Sequence, residues 1–154
     1  MTITTDRATS FIAECFAGVH LTTDTYKAFP IKTGHAGTYN HLTANVGTPG
    51  TGTPSVNNLG TDEAAGTGYT SGGITLAAPS VTVNGRVIRF DFADPAALPN
   101  ATLSADGIVI ANMSKAGKVV GVFAFTNAPV VSTGGAYAVD MPAAGDATSL
   151  VHVS

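Results

Sequence analysis

The chain has 154 residues, the size of a single domain able to bury about two-thirds of its unfolded surface without staples. Seven Lys and Arg against ten Asp and Glu give a formal charge of −3, so no basic field exists to hold nucleic acid or an anionic bilayer. Only 11% of residues are charged while 44% are apolar. A dissolved monomer would carry about 25–35% charge on its surface, so the composition points to life inside an assembly.

The single cysteine, Cys15, cannot form an intrachain bridge, and no Cys/His spacing of metal-finger type occurs. No cofactor or metal is expected. The opening residues lack the apolar core of a secretory signal, and the longest apolar run, Val119 to Phe125, is far short of the ~18–20 residues of a membrane-spanning helix. The triplets at Asn100 and Asn112 carry no weight without secretion.

Taken in chain order, residues 1–20 hold the one helical signal. Ala8, Phe11, Ile12, Cys15, Phe16 and Val19 recur at three- and four-residue steps, with Asp6 as the expected cap and Gly18 as the stop. So short a helix must dock its apolar stripe on the chain's own sheet or on a neighbour. Cys15, inside that stripe and beside Glu14, reads as a small packed residue. Thr25 to Lys32 reads as a strand whose end is set by Pro30. Residues 33–67 form a tract of Gly, Thr, Pro and Asn whose only ordinary charges are Asp62 and Glu63. We expect an extended polar arm laid on a neighbouring subunit, removable without unfolding the β-core.

Beyond it, Tyr69 to Leu76 reads as a strand interrupted at Gly72 and Gly73. Ser80–Val83 and Arg86–Phe92 read as a hairpin turning at Asn84-Gly85 with type I′ geometry. Ile88, Phe90 and Phe92 should face the core, with Arg89 and Asp91 in solvent. Ala101 to Asn112 reads as a strand bulged at Asp106-Gly107, and Ser114–Lys118 as a turn. Val119 to Phe125, apolar on both faces, is expected at the sheet centre. Short strands near Ala136–Met141 and Thr148–Val153 complete about seven or eight. The expected architecture is mainly β: one β-sandwich or jelly-roll-like domain over residues 1–154 with a short N-terminal helix.

Chemistry-bearing constellations are sparse. His20 reads as packing or capping, and His35 and His41 lack a third metal ligand nearby. Asp62-Glu63 or Asp91 with Asp94 offer oxygens to Ca²⁺, short of the six to eight a site needs, so solvated loop residues are the simpler reading. No Gly-x-Ser-x-Gly elbow is present, and Gly66 to Gly73 lacks the Lys of a phosphate-binding loop. Tyr26, Tyr39, Tyr69 and Tyr137 could stack sugars, a reading weakened by the absence of Trp. The chain is therefore read as non-enzymatic.

Five segments in order resemble a family of small structural proteins of tailed bacteriophages. They are Phe11-Ile-Ala-Glu-Cys-Phe-Ala-Gly-Val-His-Leu-Thr-Thr-Asp-Thr-Tyr-Lys, Gly66-Thr-Gly-Tyr-Thr-Ser-Gly-Gly-Ile-Thr-Leu, Phe90-Asp-Phe-Ala-Asp, Asn100-Ala-Thr-Leu-Ser-Ala-Asp-Gly-Ile-Val-Ile-Ala-Asn-Met-Ser-Lys and Val120-Gly-Val-Phe-Ala-Phe. The chain departs from that pattern in its long tract between Ile31 and Gly66, and in lacking an aromatic residue between Asp94 and Asn100. The resemblance implies a virion component without enzymatic activity. It leaves open a capsid decoration or cement protein, partnered by the major capsid protein and by copies of itself as dimer or trimer, and a tail, fibre-base or receptor-contacting subunit, partnered by tail proteins or a host surface receptor. A carbohydrate-binding β-sandwich is the third alternative. Low charge, the amphipathic helix and the neutral arm favour the head. The expected contact residues are Phe11, Ile12 and Phe16 on the helix and Tyr39, His41, Leu42, Val46, Val56 and Leu59 on the arm.

Overall fold

The computed structural model describes residues 1–141 and 151–153. It is mainly β, with two sheets and one short helix in a β-sandwich-like arrangement. The larger sheet runs β1 (Asp6–Arg7), β7 (Lys118–Ala124), β6 (Leu98–Asn112), β2 (Tyr26–Lys32), β3 (Ile74–Thr75), and β8 (Val130–Tyr137) also pairs with β6. The smaller runs β4 (Ala77–Asn84), β5 (Val87–Ala93), β9 (Val151–Val153). Of the strand expected over Thr148–Val153, residues 148–150 lie outside the described residues and Val151–Val153 is β9.

The centre is β6, not Val119–Phe125. At 15 residues β6 is long enough to hold β2 on one side while β7 and β8 share the other. The expected bulge makes this possible. Ile31 pairs with Gly107 and Lys32 with Ala105, leaving Asp106 as the extra residue. At the same point the other edge of β6 passes from Ala124 of β7 to Val130 of β8. β7 is buried on both faces as its sequence demands, but its outer neighbour is only the two-residue β1 and a stretch of loop.

Pro30 lies inside β2 rather than at its end. In an antiparallel strand the N–H and C=O of one residue point the same way. The Pro30 carbonyl accepts from Ala64 at 2.8 Å, on the side away from β6, so its missing N–H removes no bond from the β2–β6 ladder.

The helix α1 covers Thr9–Phe16. Asp6 does not cap it, because Asp6 is in β1 opposite Val122, and the N-cap is Ala8 without a side-chain bond. The stop is as expected: Gly18 adopts φ +69°, its N–H reaches the Cys15 carbonyl at 3.0 Å, and the Val19 N–H reaches Glu14 at 2.8 Å, a Schellman motif. His20 then ties the helix end to the sheet. Its Nε2 bonds Glu14 at 3.0 Å and its Nδ1 lies 3.2 Å from the Asn112 amide, while Lys118 pairs with the same carboxylate.

The tract from 33 to 67 is not a detached arm. Tyr39, Val46 and Leu59 are among the largest fully buried side chains and join the main core. The tract closes both edges of the sheet. The Val46 N–H reaches Gly117 at 2.9 Å, Val119 donates to Ala44 at 3.0 Å, and Ala64 donates to Pro30. Asparagine oxygens replace ladder bonds inside it: Asn57 accepts from Ala44, and Asn58 from Thr48, both at 2.7 Å. Removing it would strip the core, contrary to the expectation that the β-core survives.

Smaller corrections have local causes. Tyr69–Leu76 supplies only the two-residue β3, because Gly72 and Gly73 both adopt positive φ. In the β4–β5 hairpin Asn84 pairs with Val87, so the loop is Gly85-Arg86, one residue later than expected. Positive φ at Gly85 alone is the type II′ pattern. The strand expected over Ala136–Met141 begins at Val130 and ends at Tyr137.

Candidate interaction surface

The smaller sheet packs Phe90 and Phe92 onto Tyr26 of β2, with ring centroids 5.5 and 5.1 Å apart. Phe11 of α1 stands 5.5 Å from Phe90 and 4.8 Å from His20, so the helix leans on the same aromatic cluster. The cluster anchors α1 through one side chain and leaves its next turn proud of the sheet. Phe11 is 1% exposed; Phe16 is 86% exposed.

Between helix and hairpin runs an apolar groove of about 270 Å³. Phe11, Cys15 and Phe90 lie along it with Ile12, Phe16, Val81 and Ile88. Val81 pairs with Phe90 and Val83 with Ile88, which places all four on one face of β4–β5. That face outruns the helix that covers it. Val81 is 52%, Val83 70% and Ile88 45% exposed, so Ile88 is not the fully core-facing residue its alternation with Phe90 and Phe92 predicts. Cys15 adds no reactivity: burial first, then the Glu14 charge, push its thiol above the ordinary range.

The expected contact residues separate into two groups. Ile12 and Phe16 border the groove, and His41 and Leu42 are exposed, His41 lying beside Asp6 and Ile12 near the start of α1. Val56 is exposed on a turn closed by Ser55 and Asn58. Phe11, Tyr39, Val46 and Leu59 are buried in the chain's own interior.

The carboxylates Asp62 and Glu63 are not solvated loop residues but internal pins, both buried. Asp62 accepts from the Ala36 and Gly37 N–H groups at 2.9 and 2.7 Å and from the Tyr39 hydroxyl at 2.7 Å, with Lys32 at 3.5 Å. Burial pushes its pKa up, but these bonds and the Lys32 charge outweigh burial and hold it below the ordinary range. Glu63 accepts from the Tyr69 hydroxyl at 2.5 Å and from Gly72 and Gly73 at 2.7 and 3.1 Å. These bonds hold the tract in place through Glu63 Oε1, while the buried Glu63 Oε2 has no partner among the described residues. Asp91, expected in solvent, is also buried. Its Oδ1 accepts from Phe92 at 2.9 Å and its Oδ2 has no partner among the described residues. Burial and nearby Asp94 raise its pKa despite the Phe92 N–H. Asp94 is turned away, accepting from Met141 at 2.6 Å. Tyr137 is buried without a hydroxyl partner and pushed up to about 12 by burial.

Among the described residues no three His, Cys, Asp or Glu side chains gather as a metal site. No helix there is long and apolar enough to cross a membrane. Comparison with protein-family models, curated proteins and solved structures finds no match.

Proposed function

We propose that the chain is a non-enzymatic structural component of a tailed-bacteriophage virion, a decoration or cement protein that stabilises the head by bridging major capsid subunits. The observation that carries this reading is the apolar face around Phe16, Val81, Val83 and Ile88 on a chain with so little charge. Clustered exposed apolar surface suits a protein contact, because its cost is removed when a neighbour covers it. The five-segment resemblance supplies the virion context. A subunit of this kind acts by adding buried area between capsomers, so its activity is a set of contacts and asks no reactivity of any side chain.

The test is binding to expanded capsids. The purified chain should co-sediment with shells and raise their melting temperature. Absence of binding would overturn the head assignment, and binding to isolated tails instead would replace it with the tail reading.

A further inference from the structure

We infer that the exposed face of α1 and the β4–β5 hairpin is a self-association surface, on which a second copy of this chain docks by antiparallel pairing of the two β4 edges about Thr82. The inference deepens the reading of this face as a contact surface; it does not need the virion assignment.

Among the described residues, strand order leaves β4 at an edge of the smaller sheet, paired with β5 alone. Edge strands are ordinarily blunted by Lys, inward-pointing charge, Pro or a bulge. β4 contains no charged residue, and its blunting is confined to one end. Pro79 and the positive φ of Ala78 accompany the register shift between Ala77 and Ser80. From Ser80 to Asn84 the strand is regular, and among the described residues no backbone group bonds to its outer side.

That open segment is self-complementary. It reads Ser80, Val81, Thr82, Val83, Asn84. An antiparallel two-fold through Thr82 sets Val81 of each copy against the partner's Val83, Thr82 against its own counterpart and Ser80 against Asn84. Valine pairs and threonine pairs are favourable cross-strand neighbours, and no like charges meet. A register centred on Val81 or Val83 would place valine only opposite itself and would leave one valine of each strand without an apolar partner.

The two-fold stands perpendicular to the sheet, so both helices lie on the same side of the joined sheet, flanking the valine seam with Phe16. The area suffices. Phe16, Val81, Val83 and Ile88 together present roughly 300 Å² of apolar surface per copy, taking about 60–120 Å² per aliphatic and ~150–200 Å² per Phe side chain. A standard interface takes about 800 Å² from each partner, a little over half of it apolar. These four side chains supply most of that apolar share, and Ile12 borders the groove beside them.

The experiment uses the full chain in a Cys15→Ser background. Val81→Cys and Val83→Cys are prepared separately and oxidised mildly, alone and mixed. Facing residues of an antiparallel pair lie within disulfide reach. The expected result is a covalent dimer in the mixture and none in either variant alone. A mixture that does not cross-link, or a variant that cross-links as well alone as mixed, overturns the register. Sedimentation of the wild-type chain at micromolar concentration should show a dimer that Val83→Glu abolishes and Val131→Glu, at an exposed valine of β8, does not. A wild-type monomer, or a Val131→Glu monomer, overturns the inference. No capsid is present in these assays. A chain that dimerises without binding shells therefore fails the virion reading alone, and one that binds shells as a monomer fails this one alone.

Discussion

Replacing Asp62 by Asn tests whether the 33–67 tract is held by internal chemistry. The carboxylate is fully buried and accepts from two backbone N–H groups and the Tyr39 hydroxyl, at 2.7 to 2.9 Å. An amide keeps the shape but loses the charge, and its NH₂ must face one of the existing donors. A hydrogen bond to a charged group contributes about 1.5–3 kcal/mol and a neutral one about 0.5–1.5, so three weakened bonds cost about 3 kcal/mol. Lys32 is partly exposed, and its ion pair is left out of that figure. For a chain of this length the loss corresponds to a fall in Tm of roughly 6–12 °C. The assay is calorimetric unfolding of both proteins between pH 7 and pH 3. Because the folded pKa of Asp62 lies below its unfolded value, its stabilisation is complete above the unfolded value, about pH 4, and is lost as pH falls through the folded value. The gap between the proteins should therefore be constant near neutrality and close in acid. A fall in Tm of less than about 2 °C at pH 7 would refute the reasoning, as would a gap that persists undiminished in acid.

Other substitutions separate core from surface. Phe11→Ala should cost about 3–5 kcal/mol, whereas Phe16→Ser, at a side chain 86% exposed, should change the stability of the monomer by less than about 0.5 kcal/mol; chemical denaturation of both variants, at concentrations dilute enough to dissociate the dimer, checks the contrast. Asp91→Asn should raise Tm at pH 7. The raised pKa of Asp91 means that its contribution is present below the unfolded value and lost as pH rises through the folded one, so the advantage of Asn should vanish in acid, which thermal scans at two pH values would read. Gly66→Ala would drive a methyl into the Thr102 carbonyl and should lower Tm by several degrees, measured by circular dichroism.

Local rules reached the elements whose signals are local. The Gly18 stop, the β4–β5 hairpin and the Asp106 bulge follow from turn chemistry and alternation, and each is present. The tract after Thr33 escapes sequence periodicity because its anchors are isolated. Tyr39, Val46 and Leu59 are separated by polar residues at no regular period, so neither helical nor strand periodicity registers them. A sharper signal was available: large apolar residues in a charge-poor tract, followed by adjacent carboxylates with tyrosines on either side. Asp91 was placed in solvent by strict alternation, which ignores what covers the second face. The candidate surface was half legible. Periodicity gave Phe11, Ile12 and Phe16 as one stripe, but only tertiary packing sends Phe11 inward and Phe16 outward. Val81 and Val83 gave no warning, since an alternating strand does not reveal where its covering layer stops.

The proposed role of this chain as a structural subunit of a virion is open to direct test. Immunogold labelling of particles with an antibody against the chain provides it. The account predicts label distributed over the head; particles without label on head or tail would contradict it.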